Sequence, residues 1–261
     1  MRELNLEPIQ SVERAIHILN CFSYEKSELT IEEIMSKTKL AKTTTYRLLW
    51  TLERNYLVQY NQTTNRYRLG TGLLEYSGVV LENLDIRREA DPYLVKLHED
   101  TGHSVILAQP QSDTIQYLVR YDSEDGLQPN NFVGRRRVLH NGAFGIVLLA
   151  HMETSFVEQL LKEYPLESRT PKTLTDKTKF IERLGEIRAK GYFVDVDETF
   201  IGYTAISAPI FNDRNQVIAA VGISGPSYKI EGDRREELIF TIKSVASTIS
   251  LKMGQIKSNT I

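Results

Sequence analysis

Lys42, Thr43, Thr44, Tyr46 and Arg47 place cationic and hydroxyl donors within six residues of one another. Side chains of this kind reach the phosphate oxygens and base edges of double-stranded DNA. Arg66 and Arg68 add two guanidinium groups a short distance downstream. From Lys37 to Arg68, seven Lys/Arg stand against one acid, Glu53, a net +6 in a chain whose formal charge is −2. Everything outside that window therefore sums to −8, and such asymmetry points to nucleic acid at the basic segment. Arg47 and Thr44 are the candidates for base-edge contacts, with Lys42, Thr43, Tyr46, Arg66 and Arg68 mainly on phosphates.

Other chemistry is thinner. His140 or His103 as a general base with Asp195 as its partner describes an enzyme fused to a DNA-binding head. No G-x-S-x-G elbow, metal constellation or cysteine nucleophile accompanies them in the second half of the chain. His17 and Cys21 lie four apart on one predicted helix, but two ligands do not make a metal site. No cofactor or metal is expected. The single cysteine excludes an intrachain disulfide, and residues Met1 to Asn5 carry no apolar signal segment. Apolar runs such as Ile146 to Ala150 fall far short of the ~20 residues needed to span a membrane, so a cytoplasmic protein is expected.

The donors need elements to hold them. Thr30 and Glu33 form a capping-box pattern that opens a short helix. After a turn through Thr38, Lys39 and Leu40, a second helix begins near Ala41 and sets Thr45, Leu48, Leu49 and Leu52 on an inner face, with Lys42, Thr43, Tyr46 and Arg47 on the outer one. The segments 57–60 and 66–69, separated by Asn-rich residues, read as a hairpin wing. Ahead of them, Ser11 is the expected cap of a helix whose Val12, Ala15, Ile16, Leu19 and Phe22 should pack on the other two. Together these make a winged helix-turn-helix, mainly α with a β-hairpin wing, over residues 1–70.

A linker helix is expected over 71–88, where Leu73, Leu74, Val79, Val80, Leu81 and Leu84 form an apolar stretch broken by Gly78. Such a helix needs a partner; the first helix of its own head and the same helix of a second protomer are both candidates, the latter because helix-turn-helix proteins commonly bind two half-sites as dimers. Residues 89–261 read as an α+β domain. In it a helix over 85–101, kinked or restarted at Pro92, precedes a hairpin of 103–109 with 114–121. Helices follow at 142–152, 156–164 and 176–190, then strands at 192–196, 205–211 and 217–224. A capping box, Asp233 with Glu236, opens a last helix using Leu238, Ile242, Val245 and Ile249. The turn at Gly142 opens a helix directly after a strand, and the first amides of a helix suit an anionic group. The amides of Ala143, Phe144 and Gly145 are thus candidates for holding a carboxylate. A tight structural turn is the alternative.

Four segments together resemble the IclR family of bacterial transcriptional regulators. They are Ser11 to Leu19 with Thr43 to Leu52; Tyr67 to Gly70; Leu139-His140 with Leu148 to Ala150; and Gly191 to Asp195 running through Gly202 to Ala208-Pro209-Ile210 and Ser224-Gly225-Pro226. The resemblance implies a winged helix-turn-helix, a linker helix and a GAF-like effector-binding domain, assembled as dimers or tetramers. It also implies a small-metabolite effector, often a carboxylate or aromatic acid. The family's pocket maps onto Ala143, Phe144, Asp195, Ala205, Gly222 and Ser224. Ala205 replaces a common cysteine, Gly222 a hydroxyl found in some members, and Phe144 a usually small residue, which shifts the pocket toward apolar surface. In the head, Lys39 stands at the usual turn glycine and Ala41 at the usual proline. The expectation is a DNA-binding regulator, a repressor, modulated by an organic acid whose hydroxyl or amine meets Asp195. The alternatives are the enzyme above, an architectural DNA binder with an idle second domain, and a regulator whose pocket is plugged by Phe144.

Overall fold

A computed structural model describes residues 7–23, 25–82, 85–124, 133 and 136–254. The chain divides into two compact units, 1–83 and 84–261. The first contains α1 (Gln10–Leu19), β1 (Glu28–Leu29), α2 (Ile31–Thr38), α3 (Lys42–Arg54), β2 (Val58–Asn61), β3 (Arg66–Leu69) and α4 (Gly72–Glu82). The second contains α5 (Asp85–Thr101), β4 (Ser104–Gln111), β5 (Thr114–Tyr121), β6 (Arg136–Val138), α6 (Ala143–Leu149), α7 (Thr154–Glu163), α8 (Lys177–Lys190), β7 (Phe193–Val196), β8 (Tyr203–Phe211), β9 (Val217–Pro226) and α9 (Gly232–Lys252). The segment 71–88 spans α4 and the first turn of α5.

In the first unit α2 opens as its sequence dictates. Thr30 Oγ1 accepts from the Glu33 amide at 3.3 Å, and Glu33 accepts from the Thr30 amide at 2.8 Å, so two helix-end donors are satisfied reciprocally. Lys39 closes α2 in the left-handed region at φ 58, where its amide donates to Met35 O. Thr45, Leu49 and Leu52 of α3 are buried against Ile18, Ile34 and Val58. The wing pairs β2 with β3, and β1 adds a third strand in the order β1-β3-β2. Its turn is set by Asn61 Oδ1, which accepts from the Thr63 and Thr64 amides.

Two expectations for this unit are corrected. Ser11 is not the cap of α1: the helix starts at Gln10 after Ile9, without a side-chain cap. Nor do Val12 and Ile16 enter the core. They stay 53% and 48% exposed, while Ile18, Cys21 and Phe22 fill it, because α1 carries apolar residues on two sides and the head can cover only one. Gly78 interrupts the apolar run but not the helix α4, since one helical glycine costs only about 1 kcal/mol. Leu74, Tyr76 and Val79 are exposed on it. The side chains of Val80, Leu81 and Leu84, and the segment 1–6, lie outside the described residues.

The second unit is one antiparallel six-stranded sheet in the order β6-β5-β4-β9-β8-β7. Both faces are covered. On one, α5 and α9 bury Leu94, Leu97, Leu238, Ile242 and Ile249 against Val105, Leu107, Ile206 and Val221. On the other, α6, α7 and α8 bury Leu148, Leu160, Phe180 and Leu184 with Ile106, Ile115 and Tyr117. Burial on both faces is why these strands read as near-continuous apolar runs. Pro92 neither ends nor restarts α5, which runs through it. The capping box at Asp233 is absent: α9 begins at Gly232 after Glu231, with no side-chain cap, and Asp233 only adds charge to the first turn. Asp176 does cap α8, accepting from the Lys179 amide at 2.9 Å.

His151, just after α6, packs edge-on against Phe211 with ring centroids 5.1 Å apart, and its buried Nε2 has no hydrogen-bond partner. Burial, helped by Arg188, pushes its pKa down from 6.5 to about 4. The unfolded chain therefore binds a proton that the folded chain refuses between those values. The stability this neutral histidine contributes is complete above about pH 6.5 and is lost as pH falls toward 4. A series of melts across that range should show Tm falling with pH in the wild type, and His151→Leu should flatten this part of the profile. An unchanged slope in the variant would mean His151 titrates normally.

Candidate functional sites: a basic helix face and a cavity at the sheet end

Two constellations emerge, one in each unit. In the first, α3 turns Lys42, Thr43, Tyr46 and Arg47 to solvent and leaves Thr44 half-buried. Arg68 is exposed on the wing, with Nε and Nη2 donating to Gln59 Oε1 at 3.1 and 2.9 Å. Arg66 is different. Its Nη1 donates to Glu28 O at 3.3 Å and lies 3.4 Å from Glu33 Oε2. That guanidinium anchors the wing to α2, so it is less available to phosphates than its sequence position implies. Lys26 meets the same carboxylate at 2.7 Å, and its hydrogen bond, with that from the Thr30 amide, holds the Glu33 pKa below the ordinary value. Trp50 and Arg54 share the exposed face of α3; Arg54 is one of the seven basic residues of the window, and Trp50 went unnoticed in the sequence because an aromatic at helical spacing usually reads as core.

The metal pair is not formed: Cys21 Sγ donates to His17 O, and no metal-holding cluster occurs among the described residues.

In the second unit a small cavity, about 30 Å³, opens at one end of the sheet. Its walls are Tyr117 of β5, Arg137 of β6, Gly142 to Phe144, Asp195 of β7, Thr199 and Phe200, Tyr203 and Ala205 of β8, and Ser224 of β9. Strand register explains the convergence: Asp195 pairs with Ala205, Ala205 with Ser224, and Ser224 with Ser104, a single row across four strands. Gly142 turns the chain into α6 at φ 86, a conformation that favours glycine. Ser207 Oγ donates to Ala143 O at 2.9 Å and fixes the start of that helix on the sheet.

Five of the seven sequence candidates line this cavity: Ala143, Phe144, Asp195, Ala205 and Ser224. Gly145 and Gly222 do not. A Cβ on Gly145 would lie 2.2 Å from Leu139 O, and one on Gly222 would lie 1.9 Å from Ile206 O, so both are glycine because backbones touch there. Tyr117, Arg137, Thr199, Phe200 and Tyr203 were missed, because they come from strands and a turn whose convergence no local pattern reveals.

Asp195 also has a different occupation from the one expected. It is 3% exposed. Its Oδ1 accepts from the amides of Glu198 and Thr199 at 2.9 and 3.2 Å, and its Oδ2 accepts from Thr199 Oγ1. The carboxylate shapes the turn after β7 before it meets any ligand. Burial raises its pKa, and the hydrogen bonds from Thr199 and Glu198 pull the other way. Asp197 finishes the same turn, accepting from Gly202 N at 3.0 Å and Ser227 Oγ at 2.7 Å and pairing with Lys172 at 2.7 Å. Ser224, by contrast, is buried in the cavity wall with its hydroxyl beside that of Tyr203. The Arg137 guanidinium sits 5.6 Å from the centroid of the Phe200 ring.

His140 is buried with Nε2 lacking a partner, and burial lowers its pKa. No hydrogen bond joins it to Asp195 among the described residues, whose carboxylate is committed to Thr199 and Glu198. The base-and-partner pair of the enzyme alternative is not assembled.

The profile described as Bacterial transcriptional regulator IclR C-terminal matches residues 78–251, and that of the IclR helix-turn-helix domain matches residues 11–62. The chain belongs to the IclR family. It is 30% identical to the HTH-type transcriptional regulator KdgR of Escherichia coli over 97% of this chain and 96% of that protein. An IclR regulator from Alicyclobacillus acidocaldarius superposes with a TM-score of 0.84 at 28% identity, covering 95% of this chain and all of that one. A homologue from Microbacterium hydrocarbonoxydans, solved in complex with 4-hydroxybenzoate, superposes at 0.81 with 22% identity, over 93% and 98% of the two chains. The IclR relatives are transcriptional regulators rather than enzymes, and this chain is a DNA-binding transcriptional regulator. No helix among the described residues is long and apolar enough to cross a membrane.

At Gly222 the close approach of Ile206 O leaves no room for a side chain. Gly222→Ser should lower stability by about 1–3 kcal/mol through overpacking. A denaturation curve with an unchanged midpoint would show that β8 yields without penalty.

Proposed function

We propose that this regulator is a repressor acting as a homodimer in the cytoplasm, and that a small organic acid bound in the cavity of the second unit changes its operator affinity. The observation that carries the effector is a cation and a buried hydroxyl in the lining of one cavity. Arg137 contributes a cation to the cavity lining, and the buried Ser224 contributes a hydroxyl beside that of Tyr203. A carboxylate against Arg137, beside the first residues of α6 at Ala143 and Phe144, leaves a hydroxyl or carbonyl to engage Ser224. The apolar body lies between Phe144, Ala205 and Tyr117. Asp195 then acts chiefly by holding the Thr199–Phe200 turn, and a ligand donor must compete with Thr199 for its Oδ2. The complex of the Microbacterium homologue with 4-hydroxybenzoate supports this ligand class.

The volume favours a second reading equally concretely. About 30 Å³ holds a water or two and no metabolite, and Phe144, 3% exposed, occupies the space beside it. Either the Phe200 turn opens to admit an acid, or Phe144 plugs the site and the domain works without an effector. Calorimetric titration with benzoate, 4-hydroxybenzoate and pyruvate separates the two. Binding to wild type that weakens tenfold or more in Arg137→Gln supports the effector. Silence in wild type with new binding in Phe144→Ala identifies the plug.

The dimer rests on surface that the first unit leaves uncovered. Ile9, just before α1, and Val12 and Ile16 on it are exposed, as are Leu74, Tyr76 and Val79 on α4. A second copy of the chain would bury both sets. Replacing Leu74 and Val79 by Glu puts unpaired charge into that contact, so sedimentation should show monomers. A chain still dimeric after both substitutions would move the interface to the second unit.

A further inference from the structure

Thr43, Arg47, Trp50 and Arg54 recur every three or four residues along α3, and all four are exposed. That spacing puts them on one stripe, directly opposite the buried Thr45, Leu49 and Leu52. Trp50 is the one tryptophan in the chain and is 59% exposed. An indole left this open on a small head forgoes most of its hydrophobic stabilisation. The Arg54 guanidinium lies 4.9 Å from the centroid of its ring, a cation–π geometry that holds both side chains at the same end of the helix. The indole N–H is a donor only, and Arg54 has no acceptor capacity either, so whatever meets this pair must supply acceptors and negative charge. The neighbouring acid does not answer that need: Glu53 Oε1 accepts from the Tyr60 amide at 3.3 Å on the wing side.

Helical rise sets the reach. At 1.5 Å per residue, Trp50 lies about 4.5 Å and Arg54 about 10.5 Å beyond Arg47 along the axis. A major groove is about 12 Å wide. With the first turns of a recognition helix on base edges, its last turns arrive at the phosphates bordering the groove. We propose that Trp50 and Arg54 extend the DNA interface by about two helical turns beyond Arg47, the indole N–H and the guanidinium both donating to phosphate oxygens of one strand. This rests on α3 being the recognition helix. It assigns the pair to affinity and register, while discrimination between sequences stays with Arg47 and Thr44.

The full-length protein and a duplex recovered by in-vitro selection against it provide the test, since Trp50 reports on itself as the sole source of indole emission. Saturating duplex should change that emission at protein concentrations where sedimentation shows no change of assembly. In anisotropy titrations Trp50→Phe, which keeps the ring and removes the donor, should bind selected and scrambled duplexes alike about tenfold more weakly. Arg54→Gln should lower the slope of log K against log salt by about one. Arg47→Ala serves as the control, weakening the selected duplex more than the scrambled one. If Arg47→Ala behaves so while Trp50→Phe and Arg54→Gln match wild type and the emission is unmoved, the interface ends before Trp50 and the proposal falls, though α3 remains the recognition helix. Emission that responds to protein dilution and not to DNA would make Trp50 a subunit contact, which also overturns it. Recovery of no duplex at all would overturn the reading of α3 and this inference with it.

Discussion

The second unit depends on one constraint: its six-stranded sheet is buried on both faces, so every strand must present apolar residues in both directions except where the covering helices stop. At that limit the row Ser104, Ser224, Ala205 and Asp195 crosses four strands. Polar groups are tolerated there because α6 begins only at Ala143, leaving a cavity where a longer helix would have closed the core. The edge strands β6 and β7, three and four residues long, are too short to invite pairing with another sheet. Site and core are thus two consequences of the same layering.

Polar order around the cavity is hierarchical. Asp195 and Asp197 spend their acceptors on the turn that carries Thr199 and Phe200, and Arg183 braces the same turn through Glu198 at 2.7 Å. Thr170 and Thr173 add hydrogen bonds to the Asp197 and Glu198 carbonyls. A carboxylate that looks like a ligand group in the sequence is therefore first a positioning device.

In the head, Glu33 plays the corresponding part. It closes the capping box with Thr30 and receives Lys26 and Arg66, so a single carboxylate joins α2 to the wing. With that acid and Glu53 both turned to internal donors, the exposed stripe of α3 is left cationic and aromatic, which is the character a phosphate backbone selects.

The sequence by itself determined what depends on neighbours along the chain. The capping box at Thr30, the inner and outer faces of α3, the Asn-rich wing turn and the hairpin of β4 with β5 are local chemistry, and each appears where its residues require. The family motifs likewise led to Ala143, Phe144, Asp195, Ala205 and Ser224. Only the tertiary structure decided between options that local pattern leaves equal. Helix α1 has apolar residues on two sides, and packing selected Ile18, Cys21 and Phe22 over Val12 and Ile16. Gly145 and Gly222 look like ligand positions until Leu139 O and Ile206 O are seen to press on them. Arg66 looks as free as Arg68 until α2 brings Glu33 to it. Arg137, Phe200 and Tyr203 enter the cavity through strand register, a property of residues far apart in the chain that meet only when the sheet forms, and no single segment carries the information that they will.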